Sequence, residues 1–212
     1  TLDGDTEGEI QYENFNAARA VVEFTGVNVH PGSSKNTMVN AALVAIEFNS
    51  MLPSADTPRD TEEYEGFFHL DAMNGNVSTA MLDYIIRDHD VASFDCRLKT
   101  MEHIAKILNE KWGEGTVKLT ITEQYRNMKE IIDTCMELID CATAACKECG
   151  TPALITPIRG GTDGARLSFM GVPCPNLGTG GHAFHGPYEH ITVEGMDIAV
   201  EVGLKIIELF YK

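Results

Sequence analysis

Long hydrophobic runs are absent. No apolar stretch approaches the roughly 20 residues a helix needs to cross a bilayer, which excludes a helical membrane protein. The amino terminus also lacks the basic and apolar regions of a signal peptide. It opens abruptly at Thr1-Leu2-Asp3-Gly4 with no initiator Met, and we expect the chain to be the C-terminal portion of a larger enzyme. Basic charge is scarce. Sixteen Lys and Arg stand against 32 Asp and Glu, for a formal net charge of −16. The basic residues are scattered rather than clustered, which excludes nucleic acid as a partner. The six cysteines are too sparse for a secreted disulfide scaffold. Of these, Cys146 and Cys149 are one helical turn apart, but no second pair exists to complete a zinc site. Reduced thiols in a cytoplasmic protein are the expectation. Internal repeats and low-complexity segments are likewise missing.

The chain does have enough apolar residues to bury a sizeable core: 43% hydrophobic content over 212 positions. From Ala17 to Val29 the residues alternate as in a strand, with Val22 and Phe24 opposed to Glu23 and Thr25, and the pattern breaks at His30-Pro31-Gly32. Met38, Ala41, Ala42, Ala45 and Ile46 then recur at helical spacing. Tyr64 to Met73 and Ser78 to His89 read as two strands joined at Asn74-Gly75, a dipeptide that tolerates hairpin turns. A helix from Val91 to Trp112 and a strand from Thr116 to Tyr125 follow, with Gly113 and Gly115 between them. The order β, α, β, β, α, β predicts a ferredoxin-like unit of antiparallel sheet covered on one face by two helices, spanning residues 16–127. Its open face and sheet edges suit dimerisation.

Beyond Tyr125 the pattern changes to α/β. A helix from about Glu130 to Cys149 stops at Gly150, and a short strand follows near Ala153 to Thr156. Next come a glycine loop, a short helix at Ala165 to Met170 and a strand around Pro173 to Leu177. After a loop with three histidines, a final amphipathic helix carries Val193, Met196, Val200, Ile207 and Phe210. Residues 1–15 and 128–212 are therefore expected to form part of a second, α/β domain whose two short strands need partners that this chain does not have and that missing N-terminal residues would supply.

The chemistry concentrates in the polar, glycine-rich stretch from Pro157 to His190, PIRGGTDGARLSFMGVPCPNLGTGGHAFHGPYEH, where Arg, Asp and His sit on tight backbone. Candidates are Asp3, His30, Arg159, Asp163, His182, His185, Glu189 and His190. A neutral imidazole flanked by glycine, as at His185-Gly186, suits a zinc ligand, although a loop His also serves as a cap or a solvated residue. Arg159 offers a two-pronged guanidinium to a carboxylate, and Asp163 or Thr162 caps the helix that follows. Asp3 fits the carboxyl end of a strand, where open α/β sheets place ligands, and equally fits a turn.

The runs VNVHPGSSKN, EGFFHL, YIIRDHD, PIRGGTDGARLSFMGVPCPNL and TGGHAFHGPYEH, in this order, resemble the successive motifs of the peptidase T family of zinc-dependent aminotripeptidases. That family belongs to a wider clan of co-catalytic zinc exopeptidases and acylases. The resemblance covers essentially the whole chain but aligns with only the family's C-terminal half. It implies an α/β catalytic domain binding two zinc ions, with an inserted ferredoxin-like lid that forms a homodimer. It further implies that Asp3 is the terminal carboxylate ligand of one zinc and His185 the terminal His ligand of the other. His30 would reach across the dimer to stabilise the oxyanion, and Arg159 would hold the carboxylate of a tripeptide substrate. The first His ligand, the bridging Asp, the catalytic Glu and its neighbouring Glu ligand have no counterpart in this chain, so the chain alone is expected to be inactive. Rival expectations are a non-catalytic dimerisation module and a related zinc exopeptidase or amidohydrolase with another substrate.

Overall fold

A computed structural model describes residues 1–211. In chain order the elements are β1 Leu2–Gly4, β2 Glu9–Gln11, β3 Asn16–Thr25, a 3-10 turn at Pro31–Ser33, α1 Ala41–Ser50, β4 Phe67–Gly75, β5 Thr79–Asp88, α2 Val91–Trp112 and β6 Val117–Tyr125. The remainder are α3 Lys129–Ile132, α4 Glu137–Glu148, β7 Leu154–Ile155, α5 Asp163–Phe169, β8 Asn176–Gly178, β9 Gly181–His182, β10 His190–Ile191 and α6 Val193–Tyr211. The chain divides into two compact units, one of Thr1–Phe15 with Tyr125–Lys212, the other of Asn16–Gln124. No helix among the described residues is long and apolar enough to cross a membrane.

The unit Asn16–Gln124 is one four-stranded sheet in the order β4-β5-β3-β6, with β5 antiparallel to both β3 and β4. Period-2 alternation determines its core. Ala18, Ala20, Val22 and Phe24 of β3 and Leu82, Tyr84 and Ile86 of β5 share the face covered by α1 and α2. Phe48 of α1 meets Phe24 edge to face at 5.9 Å, and the Tyr84 hydroxyl donates to Asn49 Oδ1 at 2.9 Å. Burial pushes the Tyr84 phenol above its ordinary pKa. On the other face Arg19 Nε donates to both carboxylate oxygens of Asp83, at 2.9 and 3.1 Å. Helix α2 starts at Asp90, whose carboxylate accepts the Ser93 amide at 2.7 Å, and stops at Gly113 with φ +111°.

Two local expectations are corrected here. The β4–β5 turn lies at Asn76-Val77-Ser78, not at Asn74-Gly75, because the Asn76 side chain accepts the Ser78 and Thr79 amides at 2.8 and 3.2 Å. Gly75 stays in the ladder opposite Ala80, where a Cβ would lie 2.5 Å from the Ala80 methyl. The helix expected from Glu130 to Cys149 is two helices, α3 and α4. Between them the Thr134 hydroxyl donates to the Ile131 carbonyl at 2.7 Å, and the backbone tightens into i→i+3 bonds at Thr134 and Cys135.

The other unit contains a four-stranded mixed sheet in the order β1-β8-β2-β7, and the β9–β10 hairpin. The short strands expected near 153–156 and 173–177 are β7 and β8, and the expectation that the chain lacks partners for them is corrected: β1 and β2, three residues each and too short to show a period, pair with them. Ile10, Met128, Ile132, Ile139, Ala145, Ala165 and Val202 form its core. A buried Asn pair fastens its two chain segments together: Asn14 donates its backbone amide to Asn127 Oδ1 at 3.0 Å and accepts the Met128 amide at 2.8 Å.

Candidate metal and substrate site

Asp3 stands exposed in β1, whose parallel partner β8 is paired at Leu2 with Leu177 and at Gly4 with Gly178. The two glycines let these strands approach. A Cβ on Gly178 would fall 1.8 Å from the Thr6 carbonyl oxygen, and one on Gly4 would lie 3.0 Å from Leu177 backbone. Glu9 shapes the turn after β1 by accepting the Asp5 and Thr6 amides at 2.9 and 3.2 Å. Burial, then the carboxylates of Glu9 and Asp3, raise the pKa of Asp5. The Asp3 carboxylate itself accepts a hydrogen bond from the Thr162 hydroxyl, Oγ1 to Oδ2 3.1 Å.

Thr162 is the N-cap of α5, with its hydroxyl accepting the Gly164 amide at 3.1 Å. Of the two candidate caps the structure selects Thr162, and Asp163 occupies the first helical position, exposed to solvent. The preceding loop is pinned to the segment after β2. Ile158 donates to the Glu13 carbonyl at 2.8 Å and Phe15 to the Gly160 carbonyl at 3.3 Å. Arg159 is thereby set with its guanidinium 5.1 Å above the centre of the buried Phe15 ring. At Gly161 a Cβ would lie 2.6 Å from the Tyr125 ring, so a side chain there would require that ring to move.

The three histidines separate by role. His182 and His190 face each other across the β9–β10 ladder with ring centroids 5.2 Å apart. His185 lies in the loop between them, exposed, with its backbone amide held by Glu189 Oε2 at 2.8 Å. Its φ of +61° and that of Ala183, +55°, place two non-glycine residues in the left-handed region. Such a conformation costs on the order of 1–3 kcal/mol per residue and persists where the surroundings over-determine it, commonly at functional sites.

His30 belongs to the other unit and is described there alone. It is exposed, beyond β3, and caps the 3-10 turn through its Nδ1, which accepts the Gly32 amide at 3.0 Å. An accepting Nδ1 carries no proton, so the neutral ring has its proton on Nε2 and presents a hydrogen-bond donor outward.

Asp3 and His185 are an oxygen and a nitrogen donor of the kind zinc takes, so they fit a zinc ion in chemistry. They do not fit it in number. Among the described residues no group of three or more His, Cys, Asp or Glu could hold a metal ion, whereas a structural zinc takes four ligands and a catalytic one three plus water. The cysteines do not supply the deficit. All six are free thiols, and Cys146 is packed in the core, where burial first and then Cys149 raise its pKa and disfavour the thiolate.

Asn176 beside Thr162, Glu9 under the turn after β1 and the Asn14–Asn127 pair that joins two chain segments owe their places to tertiary contacts. Asn176 carries a faint sequence signal, a polar residue between Pro175 and Leu177 in CPNLG.

Residues 12–116 match the sequence profile of the peptidase dimerisation domain, so the Asn16–Gln124 unit belongs to a class found in peptidases. Over 210 residues, 99% of the chain, the sequence is 54% identical to a peptidase T of Clostridium perfringens, of which it covers 52%. A tripeptidase of Staphylococcus aureus superposes with a TM-score of 0.84 at 18% identity, covering 98% of this chain and 55% of that one. A dinuclear metal binding peptidase of the M20 family from Bacillus subtilis superposes at 0.69 and 13% identity, covering 97% and 54%. The two structural likenesses establish the fold. The chain is thus similar in sequence to peptidase T over its whole length and spans about half the length of the curated relatives it matches.

Proposed function

We propose that this chain is part of a cytoplasmic, homodimeric zinc aminopeptidase that releases the N-terminal residue of tripeptides, and that it carries the dimerising lid and half of the active site. The observation that carries the reading is the exposed Asp3 carboxylate, steadied by Thr162 within a chain 54% identical to peptidase T. Asp3 would serve one of two zinc ions and His185 the other, with the remaining ligands and the general-base Glu supplied by the part of the enzyme outside these 212 residues. Such ions, when bound, supply a water nucleophile at neutral pH and polarise the scissile carbonyl.

The chain's own residues do the rest. Asp3 and His185 present their donors from backbone that is already fixed, by the β1–β8 ladder and by Glu189 respectively. Arg159, aligned over Phe15, receives the substrate's C-terminal carboxylate and so measures peptide length. The Nε2 proton of His30, contributed by the partner subunit, donates to the oxygen that becomes negative in the transition state. The six free thiols accord with a reducing compartment.

The test is an assay of the intact peptidase against di-, tri- and tetrapeptides and against a tripeptide whose C terminus is amidated. The reading expects preference for the free tripeptide, loss of that preference over the amide in Arg159→Ala, and no turnover by the purified 212-residue chain. Equal rates on the free and amidated tripeptides in the wild type, or turnover by the 212-residue chain, would refute it.

A further inference from the structure

Helix α6 is apolar on two of its three sides. Ile198, Val202, Ile206 and Leu209 recur at helical spacing and pack into the core with Ile139, Ala142 and Ala145 of α4. Met196, Val200, Leu204, Ile207 and Phe210 recur at the same spacing on the adjacent side, yet each is between 44% and 66% exposed. Charge is confined to the third side, where Glu194, Asp197, Glu201 and Glu208 lie with Lys205, whose Nζ reaches Glu208 at 2.7 Å and Glu148 of α4 at 3.5 Å. The exposed apolar stripe runs about 21 Å along the helix axis. A helix with one apolar side in the core and a second of that length facing water has the pattern of one held between two layers. Gly203 lies in the middle of the stripe, one turn from Val200 and from Ile207, and a Cβ there would meet nothing within 4 Å. Glycine in an open helix interior is less stable than alanine, and nothing among the described residues makes use of its small size.

We propose that this stripe is the docking face for the part of the same peptidase chain that lies outside these 212 residues, and that Gly203 is its point of closest approach. The occupant follows from length and place. The chain covers 52% of its curated relatives, so about half of such a peptidase remains to be packed, and the stripe adjoins the core of the α/β unit. It carries no charge, so the segment that covers it is apolar. The missing side chain at position 203 leaves room for one of that segment's own. The inference rests on one part of the reading above, that the chain belongs to a longer peptidase, and needs neither its metal ions nor its substrate.

The experiment uses the intact peptidase. Thermal unfolding compares Gly203→Ala with the wild type. Mass spectrometry follows peroxide oxidation of Met196 in the native and the urea-unfolded wild type, which needs no substitution. A photoreactive phenylalanine in place of Phe210 is cross-linked and its partner mapped. Alanine at an uncovered helix position raises the unfolding temperature by about 1–2 °C, whereas at a covered Gly203 it lowers it. The inference expects that lowering, oxidation of Met196 on the order of tenfold slower in the native protein, and cross-links within one chain to residues outside this sequence. A rise in unfolding temperature in Gly203→Ala would overturn the close approach. Met196 oxidised as fast in the native as in the unfolded protein, or cross-links to a second copy or to the Asn16–Gln124 unit, would overturn the docking face. Tripeptide turnover by a peptidase with unprotected Met196 refutes this inference and leaves the function above standing. Protected Met196 in a peptidase that does not cleave tripeptides refutes that function and leaves the docking face.

Discussion

Replacing His30 with Ala separates the proposed chemistry from the fold. The imidazole is exposed and its side chain makes one hydrogen bond, from the Gly32 amide at 3.0 Å, at the head of a single 3-10 turn. Losing a cap of that kind costs roughly 0.5–1 kcal/mol, too little to unfold a domain whose core includes Phe24, Phe48, Tyr84 and Phe94. Removing one oxyanion donor, in contrast, costs about 10²–10³ in kcat, or roughly 2.7–4 kcal/mol of transition-state stabilisation. Tripeptide turnover should therefore collapse while the thermal melt and the dimer stay native. The donor's origin is tested by mixing subunits. If His30 acts across the dimer, a His30→Ala protomer keeps Asp3 and borrows His30 from an Asp3→Ala partner, so each mixed dimer has one complete site. Random reassociation of equal amounts puts about half the dimers in the mixed state and restores about a quarter of wild-type activity. Restoration no greater than the sum of the two inactive parents would refute action across the dimer. A His30→Ala enzyme with wild-type kcat would refute the donor role itself.

Other consequences follow from the same contacts. Arg19 holds the Asp83 carboxyl below the usual range, so this ion pair stabilises the fold above about pH 4 and is lost as pH falls through the folded-state value. Arg19→Gln should flatten the pH dependence of unfolding between pH 7 and 3, and unfolding midpoints of both proteins that fall in parallel would contradict this. Gly178→Ala would drive a methyl into the Thr6 carbonyl and should destabilise by roughly 3 kcal/mol or more in denaturant titration. Gly161→Ala would press on the Tyr125 ring and displace the Arg159 loop, so KM for tripeptides should rise more than kcat falls, as steady-state kinetics will show.

The parts of the fold that could be read from sequence are those with local causes. Helix α2 was legible because the apolar stripe Phe94, Met101, Ile104 and Leu108 repeats at helical spacing and Gly113 releases it; its cap, Asp90, emerges only in the structure. The first strand was legible for the same reason, since β3 alternates between buried and more exposed residues from Ala18 to Thr25. The hairpin turn was displaced because the side chain of Asn76 outbid the Asn74-Gly75 backbone. Strand β2 escaped notice because three residues, Glu9–Gln11, carry too little period to register, and pairing with β7 and β8 makes them a strand. Asp3, Arg159, His185 and His30 were recognisable as motif residues. The hydroxyl bonded to Asp3, the ring under Arg159 and the carboxylate that accepts the His185 amide were not, for these partners are chosen by tertiary structure.

The central claim is that Asp3 and His185 are metal donors, and it is tested most directly by anomalous diffraction at the zinc edge from crystals of the intact peptidase. The account predicts two zinc peaks, one about 2.0–2.2 Å from an Asp3 carboxylate oxygen and the other about 2.0–2.1 Å from a His185 ring nitrogen. Zinc peaks with neither residue among their ligands would contradict it.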